Sequence, residues 1–260
     1  MARFRSGLRI QLLVLKALMI RELTTRFGRE NIGFLWLMAE PLMFAGLVGV
    51  VWTFMKGTES HGIGVVSFVA SGYIPLTFLR HCFNKSASMF MANSALLYHR
   101  QVKVLDFIFV RVLIEAIGAM MAYLFIMAVF GYFNLFPFPE DFGSILLGWG
   151  VYFFFVLAIC TILAPLSEIS ELVEKLLPVS VYIAIPFSGT FNMASWLSPE
   201  ARSVLMWSPM VTGMELMRHG LYGATVQPYY DVFKAMVVST CCLIIGLILC
   251  RYVRRVLVVG

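Results

Sequence analysis

Residues 144–165 read SILLGWGVYFFFVLAICTILAP, a run of 22 residues without one charged side chain. At 1.5 Å per residue, a helix of that length measures about 33 Å, enough to cross the roughly 30 Å hydrocarbon core of a bilayer. A soluble core could also hide one such helix, so the composition of the whole chain has to decide. Of its 260 residues, 60% are apolar and 13% are charged. A soluble domain is nearer half apolar and one quarter charged. This excess has no polar skin to cover it, and lipid must take that place.

Further apolar runs stand on both sides. Residues 34–55, 63–91, 107–133, 176–191 and 232–253 read as five more spans. The 63–91 run is too long for a straight crossing, and Pro75 predicts a kink in it. The 176–191 run is marginal in length and carries Pro178 and Pro186. Together these predict an all-α polytopic membrane protein, one transmembrane domain over 1–260 with six transmembrane helices. Within 192–230 the apolar patches are broken at Trp196-Leu197-Ser198-Pro199-Glu200 and Trp207-Ser208-Pro209, too short to cross. They predict short re-entrant helices at the far membrane face, shielded by protein or lining a wet cavity.

The first 30 residues read differently. Ile10 to Ile20 is too short to span and contains Lys16. On a helical wheel Arg5, Arg9 and Lys16 fall within about 40° of one another, as in an amphipathic helix lying in the membrane surface. A plain basic flank of the first span is the other reading. Arg21-Glu22-Leu23-Thr24-Thr25-Arg26 follows where a signal peptide would carry small residues, so cleavage is rejected.

The net charge of +6 follows orientation rather than nucleic acid. With six spans both termini share a side. Fourteen lysines and arginines fall in the segments of that side and three in the opposite loops. The excess predicts cytoplasmic termini. Five cysteines in apolar surroundings, with no paired spacing, read as small buried hydrophobes. The four histidines are scattered and read as hydrogen-bonded or interfacial residues.

Charge at membrane depth is the informative chemistry. Glu40, Arg80 and Lys85 each cost about 2.5–3.5 kcal/mol at a helix centre on insertion scales, and such residues face a bundle interior or water. Arg80 either lines a passage for an anion or pairs with Glu40. Lys85 either joins that passage or snorkels to the interface. Arg111 and Glu115, four apart, are placed to pair on one helix face. Glu168, Glu171 and Glu174, three apart, mark one exposed helix face. Tyr73, Phe83 and Trp196 belong to an aromatic set on which sugar rings could slide, or which packs the core and the interface belt. No G-x-x-x-x-G-K-[ST] motif is present, so the chain holds no P-loop of its own.

Three segments resemble a known family. Arg21-Glu22-Leu23-Thr24-Thr25-Arg26-Phe27-Gly28-Arg29, then Gly33-Phe34-Leu35-Trp36 and Glu40-Pro41-Leu42, resemble the N-terminal signature of the permease subunits of capsular polysaccharide ABC exporters, in the type 2 ABC export superfamily. Leu97-Tyr98-His99-Arg100-Gln101-Val102-Lys103-Val104-Leu105-Asp106 resembles that family's segment between spans two and three. Trp207-Ser208-Pro209-Met210 with Glu215-Leu216-Met217-Arg218 resembles its external region before the last span. The resemblance implies a homodimer paired with two cytoplasmic ATPase subunits, with ATP and Mg held by the partner and no cofactor in this chain. The loop 92–106 would carry a coupling helix with Asn93, Leu97, Tyr98, His99, Arg100 and Lys103. The N-terminal helix, with Arg21, Glu22 and Arg26, would be the interface helix, and 192–230 an external gate. Arg80, Lys85, Tyr73, Phe83 and Trp196 are the candidate channel residues. The cargo implied is a lipid-linked acidic polysaccharide, handed to a periplasmic co-polymerase or adaptor and an outer-membrane polysaccharide exporter. Permeases for O-antigen or teichoic acid share this pattern. An integral-membrane lipid or glycan transferase is the reading from another class.

Overall fold

The computed structural model describes residues 2–27, 32–56, 59–60, 62–87, 89–90, 93 and 102–259. The elements are α1 (Ala2–Phe27), α2 (Ile32–Lys56), a two-residue hairpin β1 (Glu59–Ser60) and β2 (Ile63–Gly64), α3 (Val65–Ser86), α4 (Val104–Tyr132), α5 (Phe142–Ile169), α6 (Glu171–Ala184), α7 (Pro199–Leu205), α8 (Pro209–Tyr222) and α9 (Val232–Val259). The expected all-α membrane architecture is present. Among the described residues, three helices are long and apolar enough to cross a membrane: Val104–Tyr132, Phe142–Ile169 and Val232–Arg255.

Local chemistry sets the ends of these helices. Asp141 caps α5, its carboxylate accepting from the backbone N–H groups of Gly143 (2.8 Å) and Ser144 (3.2 Å). The Ser144 hydroxyl and these N–H groups hold its carboxyl below the usual range. The Asp106 carboxylate closes a capping box with the Lys103 N–H (2.9 Å), which starts α4 three residues before the expected 107. Ser198 caps α7, and Pro199 and Pro209 open α7 and α8 at a position where the missing N–H costs nothing.

The buried centre is aromatic. Phe78 of α3 lies among Trp149 and Tyr152 of α5, and Trp149 meets Tyr123 of α4 edge-on at 5.8 Å. Around this core α9 turns Phe233, Ile244, Ile248 and Tyr252 outward, each more than half exposed. An apolar face of this kind is covered by lipid in a membrane protein.

Three sequence expectations are corrected. The 63–91 run does not enter as helix: residues 63–64 pair with 59–60 and α3 begins at Val65. Glu168, Glu171 and Glu174 do not share one helix, because Ser170 is extended (φ −139°, ψ 115°) and ends α5 before α6 starts. The segment taken as 176–191 is helical from Glu171 to Ala184 and then turns.

Candidate functional site

Two charged assemblies stand out, one at each end of α3. The first gathers residues from four helices near its C-terminus. Arg111 of α4 sits at the junction. Its Nε and Nη2 donate to Glu22 Oε1 of α1 at 3.0 and 2.8 Å, and its Nη1 donates to the Lys85 carbonyl at 2.9 Å. The last turn of a helix leaves its carbonyls without partners, so a guanidinium there both caps α3 and neutralises its negative end. Lys85 Nζ turns the other way and donates to Glu115 Oε1 at 2.7 Å.

Glu115 is 1% exposed and serves two partners. Its Oε2 faces His81 Nδ1 at 3.2 Å, and His81 Nε2 faces Glu40 Oε2 of α2, also at 3.2 Å. A ring nitrogen bonds a carboxylate by donating, so both contacts are satisfied together when both nitrogens carry hydrogen. Glu40 also pairs with Arg80. The sequence-level pairing of Arg111 with Glu115 is not what forms: each prefers a partner on another helix, since a cross-helix pair neutralises two elements at once. Pairing of Arg80 with Glu40, the other sequence reading of Arg80, is observed.

The neighbouring contacts fasten α1. Arg21 Nη1 donates to Asn93 Oδ1 at 3.0 Å, and the Asn93 amide donates to the Met89 carbonyl at 2.8 Å. Gln11 Nε2 donates to Asp106 Oδ1 at 2.5 Å. Polar Gln11, Arg21 and Glu22 therefore mark the docked face of α1, with Leu18 buried between them, while Leu12, Leu13, Arg9 and Lys16 remain exposed. A polar seam thus joins α1 to the bundle, while exposed Leu13 and Ile20 share the side of the helix that carries Arg9 and Lys16 rather than forming an opposite apolar face. Leu97, Tyr98, His99 and Arg100 lie outside the described residues, as does the Arg26 side chain. Lys103 is present at the α4 capping box.

The five candidate channel residues are distributed along α3 and beyond. Tyr73 is buried and stacks on Phe44 of α2, with ring centroids 3.8 Å apart, on the same seam as Glu40 and Arg80. Phe83 is buried in the core. Trp196 packs on Phe68 at 4.9 Å, about 18 Å along α3 from Arg80 at 1.5 Å per residue. Arg80 and Lys85 keep about one third of their side-chain surface exposed.

The second assembly lies at the N-terminal end of α3. Arg218 of α8 is 1% exposed, and it donates to the carbonyls of Gly189 (2.7 Å), Thr190 (2.6 Å) and Asn192 (3.3 Å) while lying over the Phe68 ring. One turn earlier, Glu215 Oε1 accepts the Ala194 N–H at 3.0 Å. Burial pushes the Glu215 carboxyl up and the Arg218 charge opposes that. Arg202 donates to the Ala194, Ser195 and Leu197 carbonyls. The loop between α6 and α7 is thus latched to α8 through its backbone, which no side-chain pattern announces. Sequence counting places Arg218 among exposed loop charges, and the structure corrects this. The signal was there: Met214, Leu216, Met217 and Leu221 surround it at helical spacing, and all four are buried.

A cavity of about 760 Å³ opens between the hairpin, the α4–α5 turn and the end of α8. The Tyr222 and Thr225 hydroxyls in its wall donate to Ser67 Oγ and the Tyr222 carbonyl. Among the described residues, no group of three histidines, cysteines or acids is placed to hold a metal ion.

No protein-family model matches the chain. Among curated proteins it is 34% identical over 248 residues to the capsule polysaccharide export inner-membrane protein BexB of Haemophilus influenzae, covering 95% of this chain and 94% of that one. It is 32% identical over 244 residues to the capsule polysaccharide export inner-membrane protein CtrC of Neisseria meningitidis serogroup B, covering 94% and 92%. The polysialic acid transport protein KpsM of Escherichia coli is 25% identical over 251 residues, covering 95% and 96%. Identity at that level over nearly the whole length, in an all-helical apolar chain, places this protein in the family of capsule polysaccharide export inner-membrane proteins, the ABC-2 type permease subunits.

Proposed function

We propose that this permease moves a lipid-linked, acidic capsular polysaccharide from cytoplasm to periplasm, driven by ATP hydrolysis on a separate subunit. Two copies pair with two cytoplasmic ATPase subunits, which hold the ATP and Mg, and the cargo passes along the dimer axis. Six spans bring both termini to the cytoplasm. α2, α3 and α6 complete the set begun by α4, α5 and α9, and α7 and α8 cap the periplasmic side as a gate. Beyond the inner membrane, a periplasmic adaptor and an outer-membrane exporter receive the chain.

The observation that carries this reading is the near-full-length similarity to capsule export proteins; a sequence without a P-loop fits an energy source on a separate subunit. Supporting it, α1 and Asn93 meet at the end of the bundle beside the segment expected to seat the ATPase.

The test is reconstitution. Purified with a capsule-export ATPase subunit from the same strain, the chain should elute as a two-plus-two complex and move that strain's capsular polysaccharide into vesicles with ATP present. A fluorescent protein fused to the C-terminus should fluoresce, and alkaline phosphatase fused there should be inactive. Translocation at full rate without ATP, or failure to associate with the ATPase, overturns the reading.

A further inference from the structure

We infer that the ion pairs joining α1, α4, α3 and α2 are a transmission line, carrying movement of the interface helix to Glu40 and Arg80 in the body of the bundle. This rests on the proposed function, in which an ATPase seated against α1 supplies that movement.

The links are continuous. Glu22 of α1 holds Arg111 of α4, and Arg111 holds the Lys85 carbonyl that ends α3. Lys85 holds Glu115 of α4 at 2.7 Å, and His81 bridges Glu115 to Glu40 of α2 at 3.2 Å on each side. Arg80 closes the chain on Glu40. Four helices are therefore joined through Arg111, Glu115, His81 and Glu40, which each serve two partners, while the buried core beside them is apolar.

A static scaffold has no need of this. Well-packed apolar residues of similar volume commonly hold helices together as well as a buried ion pair does, whereas removing one partner leaves an unpaired charge. Charged links differ from apolar ones in what they do under displacement. Apolar contacts slide, but a side chain held from two other helices resists separation from both, as Arg111 is held by Glu22 of α1 and the Lys85 carbonyl of α3, and His81 by Glu115 of α4 and Glu40 of α2. Arg111 is the decisive residue. Its guanidinium grips α1 with two nitrogens and α3 with the third, so α1 cannot shift along α4 without drawing the end of α3. Arg111 and Glu22 are positioning residues: they act through α3 and α2 and need not touch the cargo.

The experiment uses a strain deleted for this chain and complemented with variants. Polysaccharide at the cell surface is read against that retained inside, at equal amounts of chain in the membrane. Glu22→Arg and Arg111→Glu should each lower the surface fraction roughly tenfold, within the usual range of coupling between sites. Combining them restores the attraction between α1 and α4 but not the hold on the Lys85 carbonyl, so export should recover about threefold over the worse single variant without reaching wild type, a partial rescue characteristic of a direct pair. Glu22→Gln keeps shape and one acceptor oxygen, so it decides the matter if a reversal variant fails to accumulate. It should lower export about three- to tenfold. Unimpaired export in Glu22→Gln, or a double exchange no better than the worse single one, overturns the inference. A deletion strain that still displays its polysaccharide overturns the proposed function instead, whatever the variants do.

Discussion

Arg218 shows how much can depend on one guanidinium. Its charge is buried among carbonyls of 189, 190 and 192, and α8 must satisfy those of Gly189 and Thr190 because both residues are buried. Gly72 of α3 makes room for this contact, since a Cβ there would stand 2.5 Å from the Thr190 carbonyl oxygen and 2.7 Å from Arg218 Nη2. Arg218→Met removes the donors and leaves Glu215 buried beside an apolar group. The expected loss is about 1–3 kcal/mol for each buried carbonyl left without its donor, read as a lower thermal midpoint in detergent and faster proteolysis between α6 and α8. Gly72→Ala should cost about 1–3 kcal/mol by overpacking. The two changes disturb one contact, so the double variant should lose less than their sum. Equal stability of Arg218→Met and wild type would show that the latch contributes nothing.

Among the elements, α5 and α9 illustrate a bargain between helix and helix. Pro165 lies inside α5 and has no N–H to give the carbonyl four residues back, that of Thr161. Cys250 of α9 supplies the missing donor, its Sγ 3.5 Å from that oxygen. Gly246, one turn earlier on α9, permits the approach, because a Cβ there would overlap the Thr161 side chain. Gly246→Leu should therefore pry the two helices apart and cost at least the 1–3 kcal/mol typical of overpacking, whereas the same change at outward Ile248 should be neutral. Equal melting of both variants would refute the close contact. The runs of apolar residues were legible as helices because lipid demands length and lack of charge from each span separately. The break at Ser170, the hairpin before α3 and the latch of α8 were not. Each depends on contacts between distant segments, and a helical wheel carries no record of them. At the charged assembly, the sequence marked Glu40, Arg80 and Lys85 as costly and offered Arg111 and Glu115 as a pair. It paired two of them wrongly, because spacing along one helix says nothing of an acid on the next.

On the scale of the whole molecule, the polar assembly balances itself. Glu22, Glu40 and Glu115 meet Arg80, Lys85 and Arg111 one for one, with His81 between two of the acids. Such balance is assembled from segments that leave the ribosome at different times. When α3 first reaches the translocon, Glu40 has already entered the bilayer with α2, but Glu115 is still being synthesised. Lys85 then has no counter-ion, and α3 should linger at the channel wall until α4 arrives beside it. In a nascent chain halted before residue 104, α3 should still crosslink to the translocon, and in one halted after residue 132 that crosslink should be lost. Absence of the crosslink in the shorter chain would show that α3 enters lipid alone. The same pairing that ties four helices in the finished permease thus imposes an order on its birth, with α3 and α4 released into the membrane as a unit.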